Sequence, residues 1–405
     1  PPPPPPPPPP PFFSPHTPPY AISLGLVGSE MCIRDRNNPL HTRLCEEYGC
    51  ETPIVAFSST KEVVAAASNA GGIGILGATA MKPDELRSAI SYIRNQIGDK
   101  PFGVDLLVPA SFEEGNSEDL NEMIPQGHRD FVKQIKDISE APDSPPPALD
   151  PNYSGYENLL NRSRRQLDIL FEEEVPIFAS GLGSPAFILE RAHSQGMKVW
   201  GLVGLPRQAR RQIEAGVDVV IAQGYDSGGH SGTVGTFTLV PEVVKMAEGT
   251  KTIVLAAGGV SSGRHLAAAI SMGSSGVWTG TLWLATKESA TESFLKQRII
   301  DAKVEDAVQS RAFSGKPIRQ LRSRWSDIWK DPDAPETLPM PLQGMLVEDV
   351  VRDIKEAKIE DWMTTPAGQA IVGINSVKSV TSVINDVSGE ALELFSNIYG
   401  NVNKA

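Results

Sequence analysis

A histidine set among glycines is the feature of this sequence most suited to chemistry. His230 lies in the run GGHSG at 228–232, separated by four residues from the apolar, β-branched segment 217–223. Among side chains, imidazole titrates closest to neutral pH and therefore suits proton abstraction. The neighbouring glycines let a large planar ligand approach the backbone closely. We predict that His230 is a general base; the alternative is a loop histidine whose glycines serve only the turn.

Two glycine-containing segments further along the chain suit the binding of a phosphate. Gly258 and Gly259 follow one apolar run, and Gly280 and Thr281 follow the next. Loops after the seventh and eighth strands of (β/α)₈ barrels often bind phosphate through backbone N–H groups. Neither segment resembles the GxxxxGKS loop of nucleoside triphosphate enzymes. A phosphate-bearing cofactor, flavin mononucleotide (FMN) in particular, is predicted; the alternative is that these glycines only relieve crowding at a barrel rim.

The elements that must position these residues follow from the apolar pattern. Short β-branched runs alternate with amphipathic stretches of helical period, which predicts repeated βα units and a parallel sheet. Eight strands are predicted, at 53–58, 72–78, 102–109, 176–182, 198–204, 217–223, 252–257 and 276–281. Eight is the strand count of a (β/α)₈ TIM barrel. A doubly wound sheet would instead show an early GxGxxG fingerprint, which residues 69–74 match only faintly.

The predicted barrel, residues 37–290, carries two additions. An insertion at 110–170 follows the third strand and holds helical patterns at 117–138 and 156–172, and residues 291–405 form a mainly helical extension. Barrel active sites form at the carboxyl ends of the strands, so we expect both additions to cap that mouth and the extension to form a substrate-side layer. Trp325 and Trp329 are spaced to share a helix face. They are predicted to pack over the mouth or to form a homodimer contact.

Composition excludes several classes of protein. The 405 residues include 37 basic and 49 acidic side chains, a net charge of −12, which argues against nucleic acid or an anionic membrane surface as partner. No apolar window reaches the roughly 18 residues of a membrane-spanning helix. Cys32, Cys45 and Cys50 are too few for a disulfide framework and form no paired CxxC motif for zinc. We expect a cytoplasmic protein with a small-molecule substrate and no metal, nucleic-acid or membrane partner.

From about residue 40 to residue 345 the chain resembles the nitronate monooxygenase family, formerly called 2-nitropropane dioxygenases. The glycine–glycine–histidine run and the AAGG segment are its most specific features. The matching segments lie at 53–55, 68–74, 216–232, 256–260, 278–281 and 314–319. The resemblance implies an FMN-dependent (β/α)₈ enzyme. Such an enzyme uses dioxygen to oxidise alkyl nitronates, and in some cases nitroalkanes, to a carbonyl compound and nitrite.

The resemblance also implies roles for particular residues. His230 would be the catalytic base. The phosphate would be held by Gly258, Gly259, Gly280 and Thr281, and the flavin would be lined by Gln223, Ser227, Gly228 and Gly229.

Two positions depart from the family pattern. After the first strand the family commonly has a Gln-Ala-Pro-Met type of turn, whereas this chain reads VAFSST at 55–60. Asp105 stands where the family often has Asn. An acceptor-only carboxylate is therefore expected beside the flavin in place of an amide.

Three other functions remain open. The stretch 236–240 resembles NAD(P)H-dependent enoyl-acyl carrier protein reductases and quinone reductases of the same flavin-barrel superfamily. A barrel like that of inosine monophosphate dehydrogenase would need a nucleophilic cysteine on a mouth loop, but every cysteine precedes the first predicted strand. The third alternative is a flavin-binding barrel without enzymatic activity.

The first 36 residues differ from the rest of the chain. Fourteen of the 35 prolines lie within the first 19 residues, eleven of them consecutive at 1–11. Such a run is extended and cannot build a core. Residues 14–36 resemble translated sequencing-adapter sequence. We predict that residues 1–36 are disordered, foreign to the native protein and outside the fold.

Deleting residues 1–36 should therefore leave stability and activity unchanged. The expected shift in melting temperature is smaller than about 5 °C, because roughly 1 kcal/mol or more would be needed to exceed it in a chain of this size. Thermal unfolding of the full and truncated chains measures the shift. A larger drop would show that the segment is packed against the fold.

Overall fold

The computed structural model describes residues 38–107, 117–145, 156–181 and 183–402; the predicted foreign segment 1–36 lies outside them. Eight strands of the described chain close into a parallel barrel, with the last strand paired to the first. In chain order they are β1 (Ile54–Ser58), β2 (Ile73–Gly77), β3 (Phe102–Leu106), β4 (Ile177–Ser180), β5 (Lys198–Val203), β6 (Val219–Gln223), β8 (Ile253–Ala257) and β9 (Val277–Thr279), while β7 (Gly229–His230) belongs to a smaller sheet. The predicted (β/α)₈ barrel is confirmed, and every barrel strand lies inside its predicted range.

The interior of the barrel is a packed apolar core. Alternate residues of the strands point inward, as the period of two requires, and fill it with β-branched side chains and two tryptophans, Trp200 and Trp278. Helix α1 (Arg43–Tyr48) lies across the amino-terminal strand ends, where Leu44 joins this core and Tyr48 Oη accepts a 2.9 Å hydrogen bond from Trp200 Nε1. The amino-terminal end of the barrel is thereby filled.

Helices cover the outside of the barrel. They are α2 (Lys61–Asn69), α3 (Pro83–Ile97), α6 (Tyr156–Glu172), a 3₁₀ turn (Pro185–Ile188) with α7 (Leu189–Ser194), α8 (Pro206–Ala215), α9 (Thr236–Ala247) and α10 (Gly263–Ser271). After β9 the chain makes only a 3₁₀ turn, Thr281–Trp283. The long C-terminal helix α14 (Val380–Val402) packs against both α10 and α2 and takes the remaining place on the wall. Glu390 fixes it there by accepting a 2.7 Å hydrogen bond from the Gly263 amide. The extension therefore contributes to the barrel wall as well as to its mouth.

The two additions pack on each other in a second core. The insertion contributes α4 (Ser117–Glu122) and α5 (Gln126–Ser139); the extension contributes α11 (Ser293–Asp301), β10 (Ala307–Ser310), β11 (Ile318–Leu321), α12 (Arg324–Ile328) and α13 (Leu342–Glu356). Trp325 and Trp329 are buried in this core beside Val132 and Ile135 of α5. They pack within the chain, so they do not form the dimer contact that was one of the two expectations. The homodimer itself stays a prediction.

A buried ion pair joins the insertion to the extension. Asp353 of α13 is almost fully buried and accepts hydrogen bonds from Lys136 Nζ at 2.7 Å and from the Ser144 amide at 3.1 Å. A buried carboxylate without such partners would be strongly destabilising. The pair therefore fixes how α5 sits on α13.

Asp353→Ala should lower the free energy of unfolding by about 2 kcal/mol, because it removes two hydrogen bonds to a buried charge. Asp349→Ala is the matched control on the same helix. Asp349 is exposed, and among the described residues its ion pair is with Arg352, so its loss should change stability by less than about 0.5 kcal/mol. Urea unfolding followed by tryptophan fluorescence measures both. Equal losses in the two variants would contradict the structural importance of Asp353.

Candidate active site

A cavity of about 450 Å³ opens at the carboxyl ends of the barrel strands. Its volume lies within the range of small-molecule and cofactor sites. It is formed by the loops that follow β3, β6, β8 and β9, together with part of the extension. All ten residues singled out from the sequence line it: Asp105, Gln223, Ser227, Gly228, Gly229, His230, Gly258, Gly259, Gly280 and Thr281.

The small sheet positions His230. Strand β7 pairs antiparallel with β11, with His230 opposite Ile318 and Gly229 opposite Arg319. Gly229 has φ +74°, a conformation that favours glycine. The imidazole is half-buried, and its Nε2 lies 3.1 Å from Ser314 Oγ. Burial, and after it the charge of Lys316, lowers the pKa of His230 below its ordinary value of 6.5. The ring is therefore neutral at neutral pH and able to accept a proton.

Ser314 is a contact that the sequence did not single out. It lies 84 residues from His230 in the chain, and the two meet only because β11 returns to β7. Its segment, 314–319, had been noted as a family-like stretch without a role. No spacing or composition signal connects the two residues.

Buried Arg319 fixes the loop that carries His230. Its guanidinium donates to the Tyr225 carbonyl from Nε and Nη2 at 3.2 Å and to the Ala307 carbonyl at 2.9 Å, and it lies over the Tyr225 ring. These contacts tie the loop after β6 to both strands of the extension.

The turn after β8 requires glycine. Gly258 has φ +95° and Gly259 has φ +76°, in the region that side chains rarely adopt. A Cβ on Gly258 would also stand 2.9 Å from Thr236 Oγ1 and 3.0 Å from the Ser227 amide. The backbone here is consequently open to a ligand, as phosphate binding by N–H groups demands.

A segment of the extension closes one side of the cavity. Thr365, Pro366, Gly368 and Ala370 line it. The Gly368 amide donates to Thr281 Oγ1 at 2.9 Å, and the Gln369 amide donates to the Asp226 carbonyl at 2.9 Å. This stretch lies over the loops after β6 and β9, and the sequence had not assigned it to the site.

Aromatic side chains form the apolar side of the cavity. Phe57 stacks on Trp278 with ring centroids 5.5 Å apart, and Trp283 is anchored by a 2.8 Å hydrogen bond from its Nε1 to the Thr279 carbonyl. Trp278 and Trp283 are buried as core residues and also reach the cavity wall. The turn that departs from the family pattern therefore lies at the cavity, with Phe57 to Thr60 in the lining.

Two polar groups at the cavity have no hydrogen-bond partner among the described residues. They are Asp105 Oδ2 and Ser227 Oγ, and each side chain is only 6% exposed. Burial raises the pKa of Asp105 well above its ordinary value. The acceptor-only carboxylate expected from the sequence stays a prediction, and burial acts against its ionised form.

A closed (β/α)₈ barrel with a histidine and glycine turns around a cavity at the carboxyl strand ends has the architecture of a barrel enzyme. Comparison with known proteins shows the family. The nitronate monooxygenase family model matches residues 39–390. A protein of Mycobacterium tuberculosis named as a monooxygenase is 40% identical over 384 residues, which is 90% of this chain and 100% of that protein. A "probable nitronate monooxygenase" of Staphylococcus aureus is 29% identical over 330 residues, covering 76% of this chain and 85% of the relative.

Solved structures give the same result for the fold. FabK from Thermotoga maritima superposes with a TM-score of 0.67 at 30% identity, over 89% of this chain and 99% of FabK. Nitroalkane oxidase from Streptomyces ansochromogenes gives a TM-score of 0.72 at 24% identity, over 86% and 98% of the two chains. The chain belongs to the nitronate monooxygenase family, and it is an oxidoreductase. The family is flavin-dependent, which supports a flavin as the cofactor.

The cavity fits a flavin. The unpaired Asp105 and Ser227 atoms suit the polar edge of a flavin ring, the glycine turn at 258–259 suits its phosphate, and the aromatic wall suits an apolar face. Within the described part of the chain, no three His, Cys, Asp or Glu side chains are grouped so as to hold a metal ion, and no helix is long and apolar enough to cross a membrane.

Gly259→Asp should abolish flavin retention while leaving the barrel folded, because a carboxylate would stand against the cofactor phosphate. Gly249→Asp is the matched control: Gly249 has nearly the same φ, +74°, but a side chain there would meet open space outside the cavity. Absorbance after purification gives flavin occupancy, and chromatography of the released flavin distinguishes FMN from the dinucleotide. We expect about one FMN per chain in the control. Full flavin occupancy in Gly259→Asp would show that the phosphate is not bound at this turn.

Proposed function

We propose that this protein is an FMN-dependent nitronate monooxygenase. It would oxidise alkyl nitronates, and nitroalkanes after their deprotonation, with dioxygen to a carbonyl compound and nitrite. The observation that carries the proposal is the neutral, half-buried His230 in the wall of a flavin-sized cavity. Membership of the family supports the same reaction.

The cofactor would be held at two ends. The turns at Gly258–Gly259 and Gly280–Thr281 bind the phosphate through backbone N–H groups and the Thr281 hydroxyl. Around the ring lie Gln223, Ser227, Gly228, Gly229 and Asp105. When bound, the flavin supplies the electron transfer from the substrate to dioxygen.

His230 supplies the base for substrates that still carry an α-proton. Its lowered pKa keeps the imidazole unprotonated at neutral pH, and Ser314 Oγ orients the ring through Nε2. Turnover of neutral nitroalkanes should accordingly fall as the pH drops below that lowered pKa, because the protonated ring cannot accept a proton. The exposed Lys316 carries the positive charge that attracts an anionic nitronate towards this wall.

The substrate itself would lie against the aromatic side. Phe57 and Trp278 offer apolar surface in the lining of the same cavity as His230, which suits a small alkyl substituent. The turn of Phe57 differs from the family pattern, so the preferred alkyl group would differ from that of better-known members.

One experiment distinguishes a nitronate monooxygenase from the NAD(P)H-dependent reductase that is the alternative. Under anaerobic conditions NADH or NADPH should leave the flavin spectrum unchanged if the enzyme is a nitronate monooxygenase, whereas propionate 3-nitronate should change it. Rapid bleaching by a nicotinamide nucleotide would favour a reductase of the same superfamily.

His230→Asn should keep fold and flavin but lose turnover of neutral nitroalkanes by roughly 10²–10⁴-fold, the usual size of a general-base contribution. Pre-formed nitronates need no deprotonation, so their oxidation should suffer much less. His265→Asn is the control: His265 lies outside the cavity, next to Ser262, and its loss should affect neither substrate. Steady-state rates with both substrates measure the asymmetry.

The two other outcomes are equally informative. Equal losses on both substrates would make His230 a binding residue, because a defect of shape slows both alike. No loss on either would return it to a loop histidine with no chemical role.

A further inference from the structure

Asp105 is a buried carboxyl group at the cavity for which the proposed reaction gives no role. It lies one residue before the end of β3, opposite Gly77 of β2 and Ala179 of β4. Its side chain is 6% exposed, and Oδ2 finds no hydrogen-bond partner among the described residues. A buried polar atom without a partner destabilises the fold, unless a bound ligand supplies the missing hydrogen bond.

Among the described residues, no positively charged side chain lies at the cavity to compensate Asp105. Its strand neighbours Gly77 and Ala179 are uncharged, and Gly181, where an added Cβ would stand 3.5 Å from Oδ1, is uncharged too. Among the residues that line the cavity only Asp105 and His230 titrate, and none is a lysine or arginine. Since His230 is itself neutral at neutral pH, an ionised Asp105 would be an unpaired buried charge. Such groups protonate instead.

We propose that Asp105 is a neutral carboxylic acid in the working enzyme and donates a hydrogen bond from Oδ2 to an acceptor atom of the bound flavin. The donor role rests on the proposed function, because it needs a bound flavin; the protonation of Asp105 does not depend on it. Burial raises the pKa of Asp105 well above its ordinary value, in the same direction. The acid thereby replaces an amide, which also offers one donor and one acceptor without charge.

The replacement has one consequence that an amide would not have. As pH rises through the raised pKa, Asp105 loses the donated proton and becomes a buried anion. The affinity of the wild type for flavin should then fall as pH rises, whereas the affinity of Asp105→Asn should stay constant. Asp105→Ala, without any donor, should bind FMN about tenfold more weakly than Asp105→Asn, the size of one ordinary hydrogen bond.

The protonation can be tested without flavin. Infrared spectra of the wild-type apoprotein at neutral pH should contain the carbonyl stretch of a protonated carboxylic acid, and Asp105→Asn should lack it. Asp349→Asn, which changes an exposed carboxyl group, should keep it. If Asp105→Asn fails to fold, Asp105→Ser serves for the assignment. Absence of the band in the wild type, with only carboxylate signal, would overturn the proposal.

Stability against pH gives a second measurement on the apoprotein. Between the unfolded pKa near 3.8 and the raised folded pKa, the native state holds a proton that the unfolded state has released. Wild-type stability should therefore fall relative to Asp105→Asn as pH rises, by up to about tenfold in the unfolding equilibrium constant per pH unit. A constant difference across that range would overturn the protonation.

Titration of FMN into the apoproteins at mildly acid and at alkaline pH then tests the donor role. Loss of affinity at alkaline pH in the wild type but not in Asp105→Asn supports it. The same pH dependence in both proteins would overturn it. If the wild type binds no FMN at any pH, the cofactor assignment and the donor role fall together, while the infrared band still decides the protonation.

Discussion

The antiparallel pairing of β7 with β11 is the contact on which the site depends. It joins the loop after β6, which carries His230, to a strand of the extension almost ninety residues later. Buried Arg319 holds both sides through the carbonyls of Tyr225 and Ala307. Without this pairing the loop would carry a histidine, but it would lack Ser314 and a fixed direction for the imidazole.

Two apolar cores support that contact, and each fixes a different part of the site. The barrel core fixes the strand ends, and so the spacing between Asp105, the turn at 258–259 and Thr281. The second core, where Phe313 stacks on Trp325 at 5.3 Å, fixes the segment that presents Ser314 to His230. A change in the second core would therefore affect the position of Ser314 beside His230 without altering the barrel core.

Among the described residues that line the cavity, only His230 and Asp105 carry titratable side chains. One is a histidine whose pKa is lowered, the other an aspartic acid whose pKa is raised, and burial is the first cause of both shifts. Burial thus favours the uncharged form of both side chains, imidazole in one case and carboxylic acid in the other. Lys316 is exposed, and its positive charge adds to the lowering of the His230 pKa.

The barrel, His230 and the glycine turns at 258–259 and 280–281 could be predicted from the sequence pattern, whereas the other lining residues were expected from the resemblance to the nitronate monooxygenase family. Strand runs are local signals, and the carboxyl ends of parallel strands always meet on one face, so residues after separate strands had to converge there. Four features follow only from the folded chain: the place of α14 on the wall, the contact of Ser314 with His230, the cover formed by residues 365–370 and the burial of Asp105. These features depend on contacts between segments far apart in the chain and on the depth at which a side chain is buried. Local sequence patterns predict neither.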